Sequence, residues 1–328
     1  MKSTVLISGA TGFIGSNLSQ KLVANGHTVY ALIRHTSSRD LKGLSQIMEG
    51  VRFIEGDLAD YHSLRSAIED CNPETVIHLG ALTPVRLSFE NPFAYLRVNL
   101  FGTVNFVHAI IECTPQAHLI AASTAEVYGW QPGIKPIKEE APLHPSSPYG
   151  VSKAAADEYI QMANKVYGLR STVMRCNNTY GRTGETGFFV EYVITNMLLG
   201  RPVYVGAPQH IRDYMFIDDH VNAYLVALNN DKAIGQVFNV SPGNPVSNME
   251  LAEKVAELMD LKGSIIPSSY PPGYPRRSSK LDTEYIVLDS SRIRKTLGWA
   301  PAVTLETGLK RTIEMWRARI REGKELAG

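Results

Sequence analysis

Cysteine is scarce in this chain: Cys71, Cys113 and Cys176 are odd in number, widely spaced and form no CxxC pair. That argues against a disulfide framework, and with no His/Cys cluster at ligand spacing no zinc site is expected. Long apolar runs are missing as well. No stretch reaches the roughly 18 apolar residues of a membrane span, and the run Val5-Leu6-Ile7 near Met1 is too short for a secretory signal core. The expectation is a cytoplasmic protein. Nor does one charge dominate: 33 basic residues face 32 acidic ones, which speaks against nucleic acid or an anionic membrane as the main partner. Internal repeats and low-complexity tails are not found.

What the chain does have is an ordinary globular composition, 44% hydrophobic and 20% charged over 328 residues, enough for one large or two merged domains. Its first half alternates short β-rich runs with amphipathic stretches long enough to cross back over a sheet. Strands are predicted at Thr4-Ser8, Thr28-Ile33, Val51-Glu55, Thr75-Leu79, Leu119-Ser123 and Ser171-Arg175, and helices at Gly12-Asn25, Tyr61-Asp70, Ala94-Glu112 and Tyr149-Tyr167. The fold class that follows is α/β, a Rossmann doubly wound parallel sheet. After Tyr180 turn residues multiply, and Pro267-Lys280 is crowded with Pro, Ser and Arg. A smaller α/β substrate-binding domain is expected there, built from 181–212 and 242–328. Residues 1–180 then form the dinucleotide domain, to which 213–241 returns through the strand Val237-Val240. Asn248-Met259 and Leu305-Arg319 read as amphipathic helices.

The first strand runs into Gly9-Ala10-Thr11-Gly12-Phe13-Ile14-Gly15 and then a helix. In that context the glycines have distinct uses: Gly9 for the tight turn, Gly12 for close approach of a pyrophosphate, Gly15 for helix–strand packing. The second strand ends without the acidic residue that NAD enzymes offer to the ribose hydroxyls. Instead Arg34-His35-Thr36-Ser37-Ser38-Arg39 follows Ile33, and the cations Arg34 and Arg39 with the hydroxyl of Ser37 suit a 2′-phosphate. NADP is the expected cofactor, with NAD possible; solvated surface charge is the plain alternative for the arginines. Asp57-Leu58, after the third strand, is placed to meet the adenine, unless Asp57 only caps the helix near Tyr61.

Tyr149 and Lys153 stand four apart, on one face of a predicted helix. A nearby ammonium lowers the pKa of a phenol, which would let Tyr149 take a hydroxyl proton while Lys153 holds the nicotinamide ribose. Just before this helix a strand ends in Ser123-Thr124-Ala125-Glu126. Strand ends of a parallel sheet face the ligand crevice, so Thr124 is placed to bond the reacting hydroxyl and Glu126 to act as a second acid or base. Turn hydrogen bonding for Ser123 and Thr124, and a surface ion pair for Glu126, are the bland alternatives.

Together these residues resemble the extended short-chain dehydrogenase/reductase family, in particular its nucleotide-sugar epimerases and dehydratases, whether GDP-mannose 4,6-dehydratase-like or UDP-glucose 4-epimerase-like. The resemblance spans nearly the whole chain. It includes His78-Leu79-Gly80-Ala81, similar to the family's segment beside the cofactor, Asn99-Leu100-Phe101-Gly102-Thr103, Arg175-Cys176-Asn177-Asn178-Thr179-Tyr180-Gly181, Arg212-Asp213-Tyr214 and Leu297-Gly298-Trp299. It implies a catalytic trio of Thr124, Tyr149 and Lys153, with Leu79, Gly80 and Ala81 at the cofactor. Thr83, Ser123, Asn178 and Arg212 would meet a nucleoside-diphosphate sugar. Where the family often has Arg-Pro-x-Asp/Glu this chain reads Arg276-Arg277-Ser278-Ser279, and Arg277 is the candidate for the late phosphate contact. A homodimer through Ala94-Glu112 and Ser152-Tyr167 is also implied. The shared chemistry begins with oxidation at C4 of the sugar, and Glu126 favours 4,6-dehydration, since 4-epimerases usually hold a small or uncharged residue there. Epimerisation, 4-keto-sugar reduction or decarboxylation, and a non-catalytic NADP sensor remain as alternatives. His78 and His220 are read as structural.

Overall fold

The computed structural model describes residues 2–34, 48–133, 135–261, 264–271 and 283–323. The chain opens with β1 (Thr4–Ser8), α1 (Phe13–Ala24), β2 (Thr28–Ile33), β3 (Arg52–Glu55), α2 (Tyr61–Cys71) and β4 (Thr75–His78). Then come α3 (Val85–Glu90), α4 (Pro92–Tyr95), a π-helical turn (Leu96–Phe101), α5 (Gly102–Cys113), β5 (His118–Thr124), a 3-10 turn (Ala125–Val127), α6 (Pro148–Tyr167) and β6 (Ser171–Cys176). The second half supplies β7 (Asn178–Tyr180), α7 (Phe189–Leu198), β8 (Val203–Val205), β9 (Ile211–Arg212), β10 (Tyr214–Phe216), α8 (Ile217–Leu228) and β11 (Val237–Val240). It ends with β12 (Val246–Ser247), α9 (Asn248–Met259), β13 (Ile265–Pro267), β14 (Tyr285–Ile286), α10 (Ser291–Leu297) and α11 (Leu305–Arg321).

Among the described residues, seven strands share one parallel sheet in the order β3-β2-β1-β4-β5-β6-β11. Strand order reverses between β1 and β4, the point at which open parallel sheets as a rule leave a ligand crevice beyond the strands' C-terminal ends. Both faces are covered. Val5 and Ile7 of β1 pack with Leu18 and Leu22 of α1 and Val221 of α8, whereas Leu6 packs with Leu64 of α2, Phe106 of α5 and Ile160 of α6. The two-residue period of a strand makes this split, and burial on both sides is why β1 reads as a continuous apolar run. Leu6 has no exposed surface, so Leu6→Ala would cost about 2–5 kcal/mol.

Two local features position the site. Ser147 caps α6, its hydroxyl accepting from the Gly150 amide at 3.0 Å, with Pro148 in the first turn; the helix therefore begins one residue before Tyr149. The second is the π-helical turn, which interrupts what periodicity predicts as one helix over Ala94-Glu112. It presents Asn99, whose side chain accepts from the Leu82 amide (2.8 Å) and donates to the Leu82 carbonyl (3.0 Å) and the Ser152 hydroxyl (3.0 Å). The loop after β4 is thereby tied to α6, a use of an irregular turn that hydrophobic spacing does not encode.

Candidate active site

The glycine loop closes the β1 end of the crevice. Gly9 has φ +71°, and a Cβ there would meet backbone atoms of Leu79 and Gly80 at 2.8–2.9 Å, so the two strand ends touch through glycine. At Gly15 a Cβ would lie 2.1 Å from the Gly9 carbonyl oxygen, leaving no side chain between helix and turn. Thr11 and Gly12 are exposed, Phe13 and Ile14 half-buried. Gly12 caps helix α1 with no side chain to take its amides, so the first amides and the positive end of the helix dipole are left facing the loop. These features fit a pyrophosphate, the anion at the middle of a dinucleotide.

Ile33 ends β2 and Arg34 beside it is exposed. Ser37, Arg39 and Arg277 lie outside the described residues. Asp57 is half-buried and does not cap α2: its carboxylate accepts from the Ala59 amide at 2.9 Å, while Asp60 takes the amides of His62 and Ser63. Leu58 fills the space under two glycines, within 2.8 Å of a Cβ built on Gly102 and 3.0 Å of one on Gly80. Leu79, Gly80 and Ala81 run along the crevice, half-buried, with the Leu79 amide on the Ser8 carbonyl and the Gly80 amide on the Ser8 hydroxyl. Thr83 is exposed two residues farther on.

Across the switch point β5 delivers Thr124 and the turn that carries Glu126. Thr124 Oγ1 accepts from the Glu126 amide at 3.3 Å, and Glu126 is half-buried. Tyr149 and Lys153, both buried, reach the same strand end: the phenol hydrogen-bonds Thr124, and Lys153 Nζ donates to the Ala122 carbonyl at 2.7 Å. The edge of Tyr95 meets the Tyr149 ring at 6.3 Å. Electrostatically the pair differs from the sequence expectation. Burial pushes the Tyr149 phenol above its ordinary value, partly opposed by the Thr124 hydrogen bond, and Glu126 pushes it the same way as burial. Lys153 exerts no resolved pull on that phenol; its own pKa is driven down to about 8 by desolvation, with Asp157 opposing. The cation is spent on the Ala122 carbonyl, two strand residues before Thr124, so desolvation wins at Tyr149. His78, beneath, is neutral: burial drives it to about 3, and it bonds Ser8 and Thr103.

Ser123 turns away from this cluster, as strand alternation requires. Its hydroxyl donates to Asp157 at 2.6 Å, inside the protein. Asp157, one turn after Lys153, also receives Arg175 Nε at 2.8 Å, Arg175 Nη2 at 3.0 Å and Gln161 at 2.7 Å. The ion pair joins α6 to β6 with side chains 0% and 4% exposed. Sequence reasoning passed over Asp157; its spacing of four after Lys153, facing the arginine of Arg175-Cys176-Asn177, was the available signal. Asn178 is exposed on β7 and Arg212 half-buried on β9, its guanidinium donating to the Ile211 carbonyl at 2.9 Å; these two occupy the second half's side of the structure. Among the described residues no three His, Cys, Asp or Glu side chains gather to hold a metal, and no helix is long and apolar enough to cross a membrane.

A doubly wound sheet with a glycine turn at its switch point and a Tyr-Lys pair under the neighbouring strand end defines a short-chain dehydrogenase/reductase enzyme of the extended, nucleotide-sugar kind. The family model described as GDP-mannose 4,6 dehydratase matches residues 6–312, and the chain belongs to that family. The dTDP-glucose 4,6-dehydratase of Haemophilus influenzae is 29% identical, over 95% of this chain and 97% of that protein. The UDP-glucose 4-epimerase of Thermotoga maritima, solved with UDP-glucose, superposes with a TM-score of 0.86 at 28% identity, covering 97% of this chain and 99% of that one. That of Thermus thermophilus, solved with NAD, gives 0.83 at 28% identity, over 96% and 99%. The protein is thus an enzyme of the nucleotide-sugar dehydratase and epimerase kind.

Proposed function

We propose that this enzyme is a nucleoside-diphosphate-sugar 4,6-dehydratase that works with bound NADP. The observation that carries this reading is the convergence of Thr124, Glu126 and Tyr149 at the end of β5, where the Glu126 charge helps raise the pKa of the Tyr149 phenol. When bound, the dinucleotide supplies a hydride acceptor for C4 of the sugar and returns the hydride, so it is unchanged overall. Gly9, Thr11, Gly12, Phe13, Ile14 and Gly15 hold its pyrophosphate, Asp57 and Leu58 its adenosine end, and Leu79, Gly80 and Ala81 line its path. Arg34, exposed after a strand that ends in Ile33 rather than an acid, supports NADP over the NAD of the T. thermophilus relative.

Tyr149 takes the C4 hydroxyl proton as a phenolate, which forms against its burial with Thr124 bonded to it and with the Lys153 ammonium turned from the Ala122 carbonyl to balance the charge. A C4 ketone acidifies the hydrogen on C5; the Glu126 carboxylate removes it and gives a proton to the departing C6 hydroxyl, which leaves as water, after which C6 would take back the hydride and C5 a proton, matching the one Tyr149 took from the C4 hydroxyl. Without a carboxylate in that place, as the resemblance describes for 4-epimerases, the ketone would only be re-reduced from its other face. Asn178, Arg212, Arg277 and Thr83 are the proposed substrate contacts. Residues 181–212 and 242–328 form the substrate domain, supported by the small sheets β12-β9-β14 and β13-β8 standing apart from the main one. A cytoplasmic homodimer is part of the same reading; Phe101, Val166 and Tyr167, exposed on the helices expected to pair, support it. The test is to incubate the protein with NADP and, separately, GDP-mannose, UDP-glucose and dTDP-glucose, following the sugar by NMR. A 4-keto-6-deoxy product is expected; a C4 epimer would replace dehydration with epimerisation, and an unchanged sugar in all three would sink the enzymatic reading of the site.

A further inference from the structure

A second cation lies against the glycine turn, outside the Tyr149 cluster. Arg182 follows β7, its side chain 11% exposed. The guanidinium carbon is 4.4 Å from the ring centre of Phe13 and 3.6 Å from that of Phe188, so the group fills the gap between two phenyl rings. Phe13 is the first residue of α1, and Phe188 immediately precedes α7. One Arg182 NH group donates to the Thr179 carbonyl, while the buried Nε–H finds no hydrogen-bond acceptor among the described residues.

Its counter-charges are weakly engaged. Glu185 and Glu191 each stand 3.7 Å away. One Glu191 oxygen is already taken by the amides of Gly181 and Arg182, both at 3.0 Å, and the other is buried without a partner among the described residues, as is His220 Nε2. A guanidinium so placed is desolvated, stacked and only partly neutralised, directly behind the residue whose amide opens the anion-facing end of α1. Charge in that position acts through low-dielectric packing, and only a planar cation stacks on both rings.

We propose that Arg182 is a positioning residue for dinucleotide binding: stacked on Phe13, it fixes the first turn of α1 and adds positive potential there, and Glu191 sets how much of that charge a bound pyrophosphate feels. This rests on the reading that the glycine loop takes a dinucleotide. The test is fluorescence titration of the full-length protein with NADPH and with NADH, together with ligand-free thermal unfolding. Arg182→Met keeps the stem and removes the charge, and should weaken binding about tenfold. Glu191→Gln keeps the shape and removes the counter-charge, and should tighten binding about threefold. A merely structural contact would not move the two variants in opposite directions. Arg182→Met within twofold of wild type, or Glu191→Gln unchanged or weaker, overturns the proposal. Should Arg182→Met not fold, Arg182→Lys decides in its place: binding between that expected for Met and wild type supports the role, wild-type binding refutes it. Wild-type protein that binds neither dinucleotide also overturns it, by removing the loop reading beneath it, a result distinct from any variant outcome.

Discussion

Asp157→Asn tests the packing that holds the site together. The carboxylate has no exposed surface and accepts four hydrogen bonds, from Ser123, Gln161 and two nitrogens of Arg175. An asparagine keeps the shape but turns an NH2 toward donors that need an acceptor, and it leaves the Arg175 guanidinium buried and uncompensated. Breaking a buried ion pair by removing one partner costs about 3–5 kcal/mol, a large part of the roughly 5–15 kcal/mol that holds most domains folded. Urea unfolding should show a lower midpoint with an unchanged slope. The double variant Asp157→Leu/Arg175→Met, which leaves neither charge, should recover part of the loss. At the site, Lys153 loses the carboxylate that opposes its desolvation, so its pKa should fall further below about 8 and the alkaline limb of kcat/KM should move to lower pH. A stability loss under about 1 kcal/mol, together with an unmoved pH profile, would refute the reasoning.

Gly15→Ala drives a methyl into backbone atoms at 2.1–2.9 Å, so α1 must lift off the turn; dinucleotide affinity should drop at least about tenfold in a titration, with about 1–3 kcal/mol of stability lost. Tyr149→Phe should lower turnover by about 10²–10⁴ while cofactor affinity holds, and full activity would remove the phenol from the mechanism. Glu126→Gln should stop elimination yet permit C4 oxidation, read as reduced nicotinamide absorbance that persists; undiminished elimination would dismiss the residue as the C5 base. Acid should unfold the protein through buried histidines. Burial depresses His78 and His220 to about 3 and His118 to about 4. The unfolded chain takes up protons below about 6.5 that the native state refuses, so stability is full above that pH and is lost as pH falls toward 3–4. Three such groups together give a slope of at most about 4 kcal/mol per pH unit, to be measured from urea midpoints across that range.

Much of the first half can be read without coordinates, because each signal there is local. β1, β2 and β11 fall on the predicted residues, the other predicted strands lie within one residue of theirs at each end, and the glycine turn sits between β1 and α1 as its spacing requires. Tyr149 and Lys153 share a buried helix face because 3.6 residues per turn leaves no other arrangement. What sequence does not carry is the partner of each side chain. Ser123 and Thr124 are adjacent and both bear hydroxyls, yet strand alternation and the position of α6 send one to Asp157 and the other to Tyr149. The state of the phenol likewise depends on how deeply it is packed and on a carbonyl at Ala122 that takes the lysine. Arg182 joins Phe13 and Phe188 over 175 residues of chain, and such pairs exist only once the sheet brings its strand ends to one side. Spacing along the backbone therefore determined the elements and the chemistry available to them, whereas burial and long-range contact, properties of the folded chain alone, decided which groups meet and in what charge state.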